Sequence, residues 1–149
     1  MFSPAGGSND YPVSLRAAAP AVFRGGVAGP LVGLATVVRA DNGQLVTPSN
    51  PIHRGDDIII YAAGMGRTDP PVEAGIASPS DPPARTVAVP DVKLGSVAVP
   101  VQFAGLAPWQ IGVYQINARI PGSVPTGLSV PLSITQSGAT TSVDVRVVD

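Results

Sequence analysis

Apolar and polar residues alternate through the second half of the chain. Every second residue is apolar between Val97 and Phe103, and three later segments repeat this pattern: Tyr114 to Ile120, Val130 to Ile134 and Val143 to Val147. A two-residue period is typical of strands that bury one face. The pattern therefore predicts neighbouring strands in this half, with a turn at Ser137-Gly138 before the last of them.

The first half predicts further strands and one long loop. Ile58 to Ala63 is a continuous apolar run with β-branched residues, which is typical of a central strand that is buried on both faces. Leu34 to Arg39 precedes it, and Asp41-Asn42-Gly43 supplies a tight hairpin. From Gly64 to Ala84, frequent glycine and proline predict a long ordered loop with at most one short strand near Ile76. Loops of this length are often functional.

Composition favours an all-β fold. The 149 residues include 17 glycines and 17 prolines, and both residue types interrupt helices. Hydrophobic residues make up 44% and charged residues 13%, which indicates a buried core rather than a disordered chain. We expect an immunoglobulin-like β-sandwich of two sheets, with about seven to nine short strands, over residues 20–149. A flexible linker at 1–10 and an extended N-terminal strand or arm at 11–19 should precede it.

The two ends of the chain carry similar sequences. Val13-Ser14-Leu15-Arg16-Ala17, near the start, resembles Val143-Asp144-Val145-Arg146-Val147, which is expected to close the domain as its last strand. Two interpretations are open. The segments are unrelated edge strands, or the N-terminal copy is the last strand of a preceding module in a series.

The N-terminal arm is the first candidate site. Tyr11, Val13, Leu15 and Ala17 occupy alternate positions, so an extended arm would present them on one face. Such an arm satisfies backbone groups at a sheet edge, either in its own domain or in another copy or a neighbouring β-sandwich module. Pairing between copies, repeated head to tail, would build a filament, whereas pairing within the chain would give a monomeric spacer.

A ligand face formed by Trp109, Asp69 and Glu73 is the second candidate. Trp109 follows a turn-like segment, where its indole could stack on a sugar of a cell-surface glycan. Asp69 and Glu73 lie four residues apart in the long loop, and a pair of carboxylates is what a glycosidase requires. Ordinary packing of the tryptophan and solubility of the two carboxylates explain the same residues.

The sequence offers little else for catalysis or metal binding. His53 is the one histidine, and no serine lies in a nucleophile-elbow pattern that would complete a triad with it. Asp56 and Asp57 lack the spacing of a calcium loop, so they are expected to be solvated turn residues. Gly64-Met65-Gly66 mimics part of a dinucleotide motif, but Pro70-Pro71 prevents the helix that this motif needs. We therefore expect no enzymatic activity, no metal and no cofactor.

Charge and cysteine content exclude further classes of function and of site. The net charge is −1 and the nine basic residues are scattered, so binding of nucleic acid is not expected. There is no cysteine, which excludes disulfides and thiolate metal sites. No apolar run approaches the roughly 18 residues of a membrane span. Residues 1–10 lack the basic and apolar regions of a secretory signal.

An ordered set of motifs resembles one known family from about Tyr11 to Val148. The motifs are Ala19-Pro20-Ala21-Val22-Phe23, Asn50-Pro51, Gly55-Asp56, Ile60-Tyr61-Ala62-Ala63-Gly64-Met65-Gly66, Phe103-Ala104-Gly105-Leu106-Ala107-Pro108 and Val113-Tyr114-Gln115-Ile116-Asn117. Together they resemble the Solibacter-type C-terminal domain of large acidobacterial secreted and surface proteins, which has two immunoglobulin-like or TIG-like units. The resemblance implies a β-sandwich and an extracellular or cell-surface setting, and it implies no reaction or functional residues. It covers the last strand of the first unit and all of the second.

Overall fold

A computed structural model of the chain describes residues 2–3, 6–7, 10–26 and 29–149. The regular structure in these residues is all β, and they contain no helix that is long and apolar enough to cross a membrane. In chain order the strands are β1 (Phe2–Ser3), β2 (Gly6–Gly7), β3 (Ala21–Val22), β4 (Val37–Arg39), β5 (Ile52–His53), β6 (Asp57–Ala63), β7 (Thr68–Asp69), β8 (Arg85–Thr86), β9 (Asp91–Leu94), β10 (Val97–Ala98), β11 (Val101–Leu106), β12 (Tyr114–Arg119), β13 (Gly127–Gln136) and β14 (Ala139–Val148).

Strands β3 to β14 form two sheets that make a sandwich. One sheet has five strands in the order β10-β9-β13-β14-β5, and the other has seven, in the order β3-β6-β12-β11-β8-β7 with β4 also paired to β6. This arrangement confirms the expected all-β, immunoglobulin-like sandwich. The described residues contain more strands than expected, because five of those in the sandwich are only two residues long. Five of the ten residues of the linker expected at 1–10 lie outside the described residues, and among the other five β1 and β2 pair with each other.

The hydrophobic core lies between the two sheets. The five-stranded sheet contributes alternate residues of β13 and β14, and the facing sheet contributes alternate residues of β6 and β12. These core side chains are Val130, Leu132, Ile134, Val143, Val145 and Val147 on one side, and Ile58, Ile60, Ala62, Ile116 and Ala118 on the other. The two-residue period of the sequence thus gives the buried face of each long strand.

Strand β6 is internal to its sheet, as expected, but it is not buried on both faces. It pairs with β12 on one side and with β3 and β4 on the other. Ile58, Ile60 and Ala62 are buried in the core, while Ile59 and Tyr61 are only half-buried. The apolar run is continuous because the outer face of this strand is partly covered, rather than because a second layer packs on it.

The apolar alternation from Val97 to Phe103 is divided between the two sheets. Val97 belongs to β10 in the five-stranded sheet, whereas Val101 begins β11 in the other sheet. Pro100 lies between them and has no N–H to continue a ladder. The pairing of β11 with β12 also shifts register between Val101 and Phe103. A single alternating pattern therefore crosses from one sheet to the other.

The long loop predicted from Gly64 to Ala84 is present, but its short strand lies elsewhere than expected. Thr68–Asp69 forms β7 against β8, whereas Ile76 is an exposed turn residue. At the other predicted turns, Gly43 has φ +67 at the end of the first hairpin, and Ser137 and Gly138 have φ 49 and 82 between β13 and β14. Both turns need residues that tolerate positive φ.

Residues 11–19 do not form the strand that the sequence predicts. They have no ladder partner in the described chain, and the first described strand after residue 10 is β3. Among the described residues, the first backbone hydrogen bond of this segment is donated by Ala19 N to Gly64 O at 2.9 Å. A strand needs a neighbour for its backbone groups, and the segment before Ala18 has none here. We call residues 11–17 the arm, and Ala18 to Pro20 its base.

Two glycines at the end of β6 allow the chain to pass closely over the base. A Cβ built at Gly64 would overlap the carbonyl oxygen of Ala19, and one at Gly66 would lie 2.8 Å from the carbonyl oxygen of Ala17. Both glycines also have positive φ, 73 and 88. Gly64-Met65-Gly66 is therefore a seat for the base of the arm, which gives a structural reason for the two glycines.

Replacement of Gly64 by alanine should destabilise the sandwich by about 3 kcal/mol, because it combines an unfavourable φ with a backbone overlap. Gly75→Ala is a matched control, since Gly75 has φ +81 but nothing within 4 Å of an added Cβ. The control should lose only about 1 kcal/mol. Chemical denaturation of both variants measures the difference. Equal losses would contradict the tight seat.

Candidate functional site

The arm exposes large apolar side chains. Tyr11 is 86% exposed, Val13 76% and Leu15 95%, and none of the three contributes to the core. Exposed single apolar residues are common, but three at alternate positions of one short segment make a continuous apolar face when that segment is extended. The structure thus places three of the four predicted contact residues on a segment without a strand partner within the described chain.

The base of the arm, by contrast, is fixed to the sandwich. Ala18 and Pro20 are buried, and the seat around Met65 is held by side chains from two other strands. Tyr114 donates its hydroxyl to Gly66 O at 2.5 Å, and Gln136 Nε2 donates to Met65 O at 2.9 Å. Burial raises the pKa of Tyr114 above its usual range. Tyr114 therefore serves the seat, rather than offering a stacking surface.

Ala17, the fourth predicted contact residue, lies at the junction of arm and base. With Arg16 it lines a groove of about 320 Å³ beside Met65, Val87 and Gln136. Gln136 also donates to Ala88 O at 2.8 Å, which fixes the far wall of this groove. The arm consequently leaves the sandwich next to the β13–β14 turn, and Tyr11 to Leu15 lie beyond it.

Trp109 is the most exposed large side chain of the loops that connect the long strands of the seven-stranded sheet. It is 73% exposed and has φ 66, a conformation that is strained for a bulky residue. Buried Ser78 holds this turn: Trp109 N donates to Ser78 O at 3.0 Å, and Ser78 Oγ donates to Ala107 O at 2.9 Å. The backbone is thus held so that the indole faces solvent.

The long loop forms a shallow groove on one side of Ser78. The groove encloses about 440 Å³ and includes Glu73 and Ile76. Its other walls are Pro70, Pro71, Val72, Ala77 and Pro79. Asp69 does not line it; this residue pairs with Arg85 in the β7–β8 ladder. Ser78 therefore links the turn of Trp109 to the loop that carries Glu73, and Asp69 lies outside the groove.

Comparison with protein-family models found no matching family, and comparisons with curated proteins and with solved structures found no similar protein. The resemblance to the Solibacter-type domain therefore stays a prediction.

The acidic turn before β6 is a structural network. Asp56 forms an ion pair with Arg39, whose Nε lies 2.9 Å from the carboxylate, and accepts a hydrogen bond from His53 N at 2.8 Å. Asp57 accepts from Arg119 at 2.8 Å. Both carboxylates therefore have arginine partners, and within residues 10–26 and 29–149 no three acidic or histidine side chains gather at one point. These aspartates orient strand ends, and they are not solely the solvated turn residues that the sequence predicted.

Sequence reasoning missed two residues that shape these sites. Ser78 and Gln136 are buried polar side chains that bond to backbone far away in the sequence. The partner of Ser78 is 29 residues away, and the two partners of Gln136 are 48 and 71 residues away. Neither residue carries a local sequence signal, because their partners are backbone carbonyls of distant loops. Gln136 follows the apolar alternation of β13 directly, and a polar residue at that inward position was the one available sign.

Replacement of Trp109 by glycine should raise the free energy of unfolding by about 1 kcal/mol, because glycine relieves the positive φ while little indole area is buried. Trp109→Ala retains the strain and serves as the control. Thermal unfolding should show the glycine variant about 2–4 °C above the alanine variant. A glycine variant less stable than the wild type would mean that the indole packs as a structural element.

Proposed function

We propose that this chain is a non-enzymatic, extracellular structural module of the cell surface that assembles head to tail through its N-terminal arm. The observation that carries this proposal is the contrast within residues 11–20. The base is buried and hydrogen-bonded, while Tyr11, Val13 and Leu15 upstream of it are almost fully exposed. A segment with this pattern is suited to complete a sheet of a neighbouring module.

The energetics favour burial of the arm in a partner. Transfer of a valine or leucine side chain from water to an apolar site stabilises by about 1.5–3 kcal/mol. Unpaired backbone groups of an added strand also gain hydrogen bonds at the sheet edge that receives it. Fixing the base in advance limits the conformational entropy that the arm loses on association.

The expected assembly is open-ended. An arm on one molecule that inserts into a different surface of the next is a heterologous contact, and such contacts form filaments where the rotation does not close a ring. Adhesion and structural support at a cell surface need extended assemblies of this kind. The extracellular setting itself rests on the resemblance given above.

Deletion of residues 1–16 should abolish filaments and leave the sandwich folded, because Ala18 and Pro20 stay in place. Electron microscopy and sedimentation velocity of the purified chain measure assembly, and circular dichroism measures folding. Leu15→Asp in the complete chain should weaken association about 10- to 100-fold, since it places a charge on the apolar face. Ser14→Asn, an uncharged polar change on the opposite face, is the control. A monomeric wild type, or filaments without residues 1–16, would disprove the proposal.

Binding of a cell-surface glycan is a second candidate function. It is favoured by the strained, exposed Trp109, whose turn is attached through Ser78 to the proline-rich groove containing Glu73. Aromatic faces stack on the apolar faces of sugars, and a conformation that costs stability is a sign of selection for another property.

Trp109→Ala should reduce retention of the protein on cell-wall material or on a glycan array. Val89→Ala is the control, because Val89 is a similarly exposed apolar residue outside this loop. Loss of retention in the tryptophan variant alone would support the candidate. Unchanged retention, or no retention of the wild type, would refute it.

A further inference from the structure

We infer that the arm of one copy adds as a strand to the outer edge of β14 in another copy. This inference rests on the proposed assembly through the arm, and it names the surface that receives it. The acceptor consists of the backbone of Thr140 to Asp144 and of the groove beside Asp144 and Val145. The occupant is a second copy of this chain, through residues 11–17.

Strand β14 has a long edge without a partner. It is ten residues long, and its inner side pairs with β13 along almost its whole length. On its outer side, β5 pairs only with Val147 and Val148. Within the described residues, no other strand pairs with the outer side of β14 between Ala139 and Arg146, although β3 of the facing sheet approaches β14 to within 8 Å between Cα atoms.

The ladder contacts show which backbone groups face this edge. A strand residue directs its N–H and C=O to one neighbour, and the next residue directs its groups to the other. Gly95 N donates to Pro131 O at 2.8 Å, so Pro131 faces β9 and the residues on either side of it face β14. Arg54 N donates to Val148 O at 3.2 Å, so the even-numbered residues of β14 direct their backbone N–H and C=O groups outward, away from β13. The outward residues before β5 are Thr140, Ser142 and Asp144.

A partly apolar groove lies beside the same edge; Thr47, Asp144 and Arg146 also line it, and Arg146 donates to the carbonyl oxygen of Pro48. Its volume is about 160 Å³, and protein cavities of about this volume can hold a group the size of benzene. Leu34, Ala35, Val46 and Pro48 form the wall that faces Val145 of β14. A strand added here would direct alternate side chains into this groove, on the side where Val143 and Val145 already join the core.

The arm matches the acceptor in length, pattern and charge. The seven residues 11–17 can span all but one of the eight residues 139–146 that have no outer strand partner in the described chain. With Val13 and Leu15 turned to the groove, Arg16 lies on the same outer face as exposed Asp144. In a parallel register that pairs residue 11 with residue 139, Arg16 lies opposite Asp144, and opposite charges on neighbouring strands stabilise the pair.

The positions of donor and acceptor suit an open assembly. The arm leaves its own sandwich beside Ser137, before β14 begins, whereas the groove lies beside Asp144 to Arg146. At about 3.3 Å per residue, these points are roughly 25 Å apart along the strand. The exit of the arm is adjacent to the start of the acceptor edge at Ala139, but it is distant from the groove, so the groove is a separate surface of the molecule, as a filament requires.

Cysteine cross-linking tests this contact, because the chain has no cysteine of its own. One preparation carries Ser14→Cys, and a second, of distinguishable mass, carries a single cysteine at Thr140, Ser142 or Asp144. After mixing and mild oxidation, at least one edge position should give several-fold more heterodimer than Ala98→Cys at the opposite edge of the same sheet. A disulfide needs Cα atoms about 4.4–6.8 Å apart, so only neighbouring strands qualify.

Ser142→Pro gives a second test. The N–H of Ser142 faces outward, so proline there spares the β13–β14 ladder but removes a donor from the edge. The variant should stay folded by circular dichroism and lose its filaments. If this variant does not fold, the cross-linking experiment alone tests the inference.

Two outcomes would overturn the inference while leaving assembly through the arm intact: equal cross-linking at Ala98 and at β14 while the wild type forms filaments, and assembly of Ser142→Pro as in the wild type. A chain carrying both Ser14→Cys and Ser142→Cys could close on itself at high dilution. That would show pairing within one copy and would refute both the inference and the proposed assembly. A wild type that forms no filament would instead refute the proposed function.

Discussion

The rest of the structure depends on the close approach between the base of the arm and the Gly64-Met65-Gly66 seat. A side chain at Gly64 would overlap the carbonyl oxygen of Ala19, so the chain can cross the end of β6 only where glycine stands. Tyr114 and Gln136 then hold the seat from two further strands. Because the crossing is fixed, the arm begins at a defined point and direction while its apolar residues stay exposed.

The sandwich limits the length of most of its edges. β5, β7 and β10 are each two residues long, and short edges give little template for pairing with another chain. The outer side of β14 is different, because most of its ten residues have no partner there in the described chain. Its outward side chains are threonine, serine and aspartate, which keep the edge polar. A polar edge of this kind pairs poorly with most strands. It favours a strand whose apolar side chains fit the groove beside it.

Periodicity predicted the long strands well, because β12, β13 and β14 each bury one face along their length. It failed where the outcome depends on distant partners. The alternation from Val97 to Phe103 gives no sign that the chain changes sheets at Pro100. The arm residues have the pattern of a strand, although the described residues offer them no neighbouring strand. The Trp109 turn could be proposed from an exposed aromatic near a proline. The hydrogen bonds by which Ser78 holds this turn could not be predicted, since a serine among glycines and prolines has no distinctive pattern.

The two candidate functions reinforce each other physically. Trp109 lies in the connection between β11 and β12 of the seven-stranded sheet, whereas the proposed acceptor edge belongs to the five-stranded sheet. In a filament built through the arm, each module would therefore still present its Trp109 loop. A single exposed indole with a shallow groove binds a sugar weakly, but many copies on one assembly raise the effective concentration of sites and so the avidity. Assembly would then be the property that makes a weak ligand face useful, and loss of the arm would reduce glycan retention even with Trp109 intact.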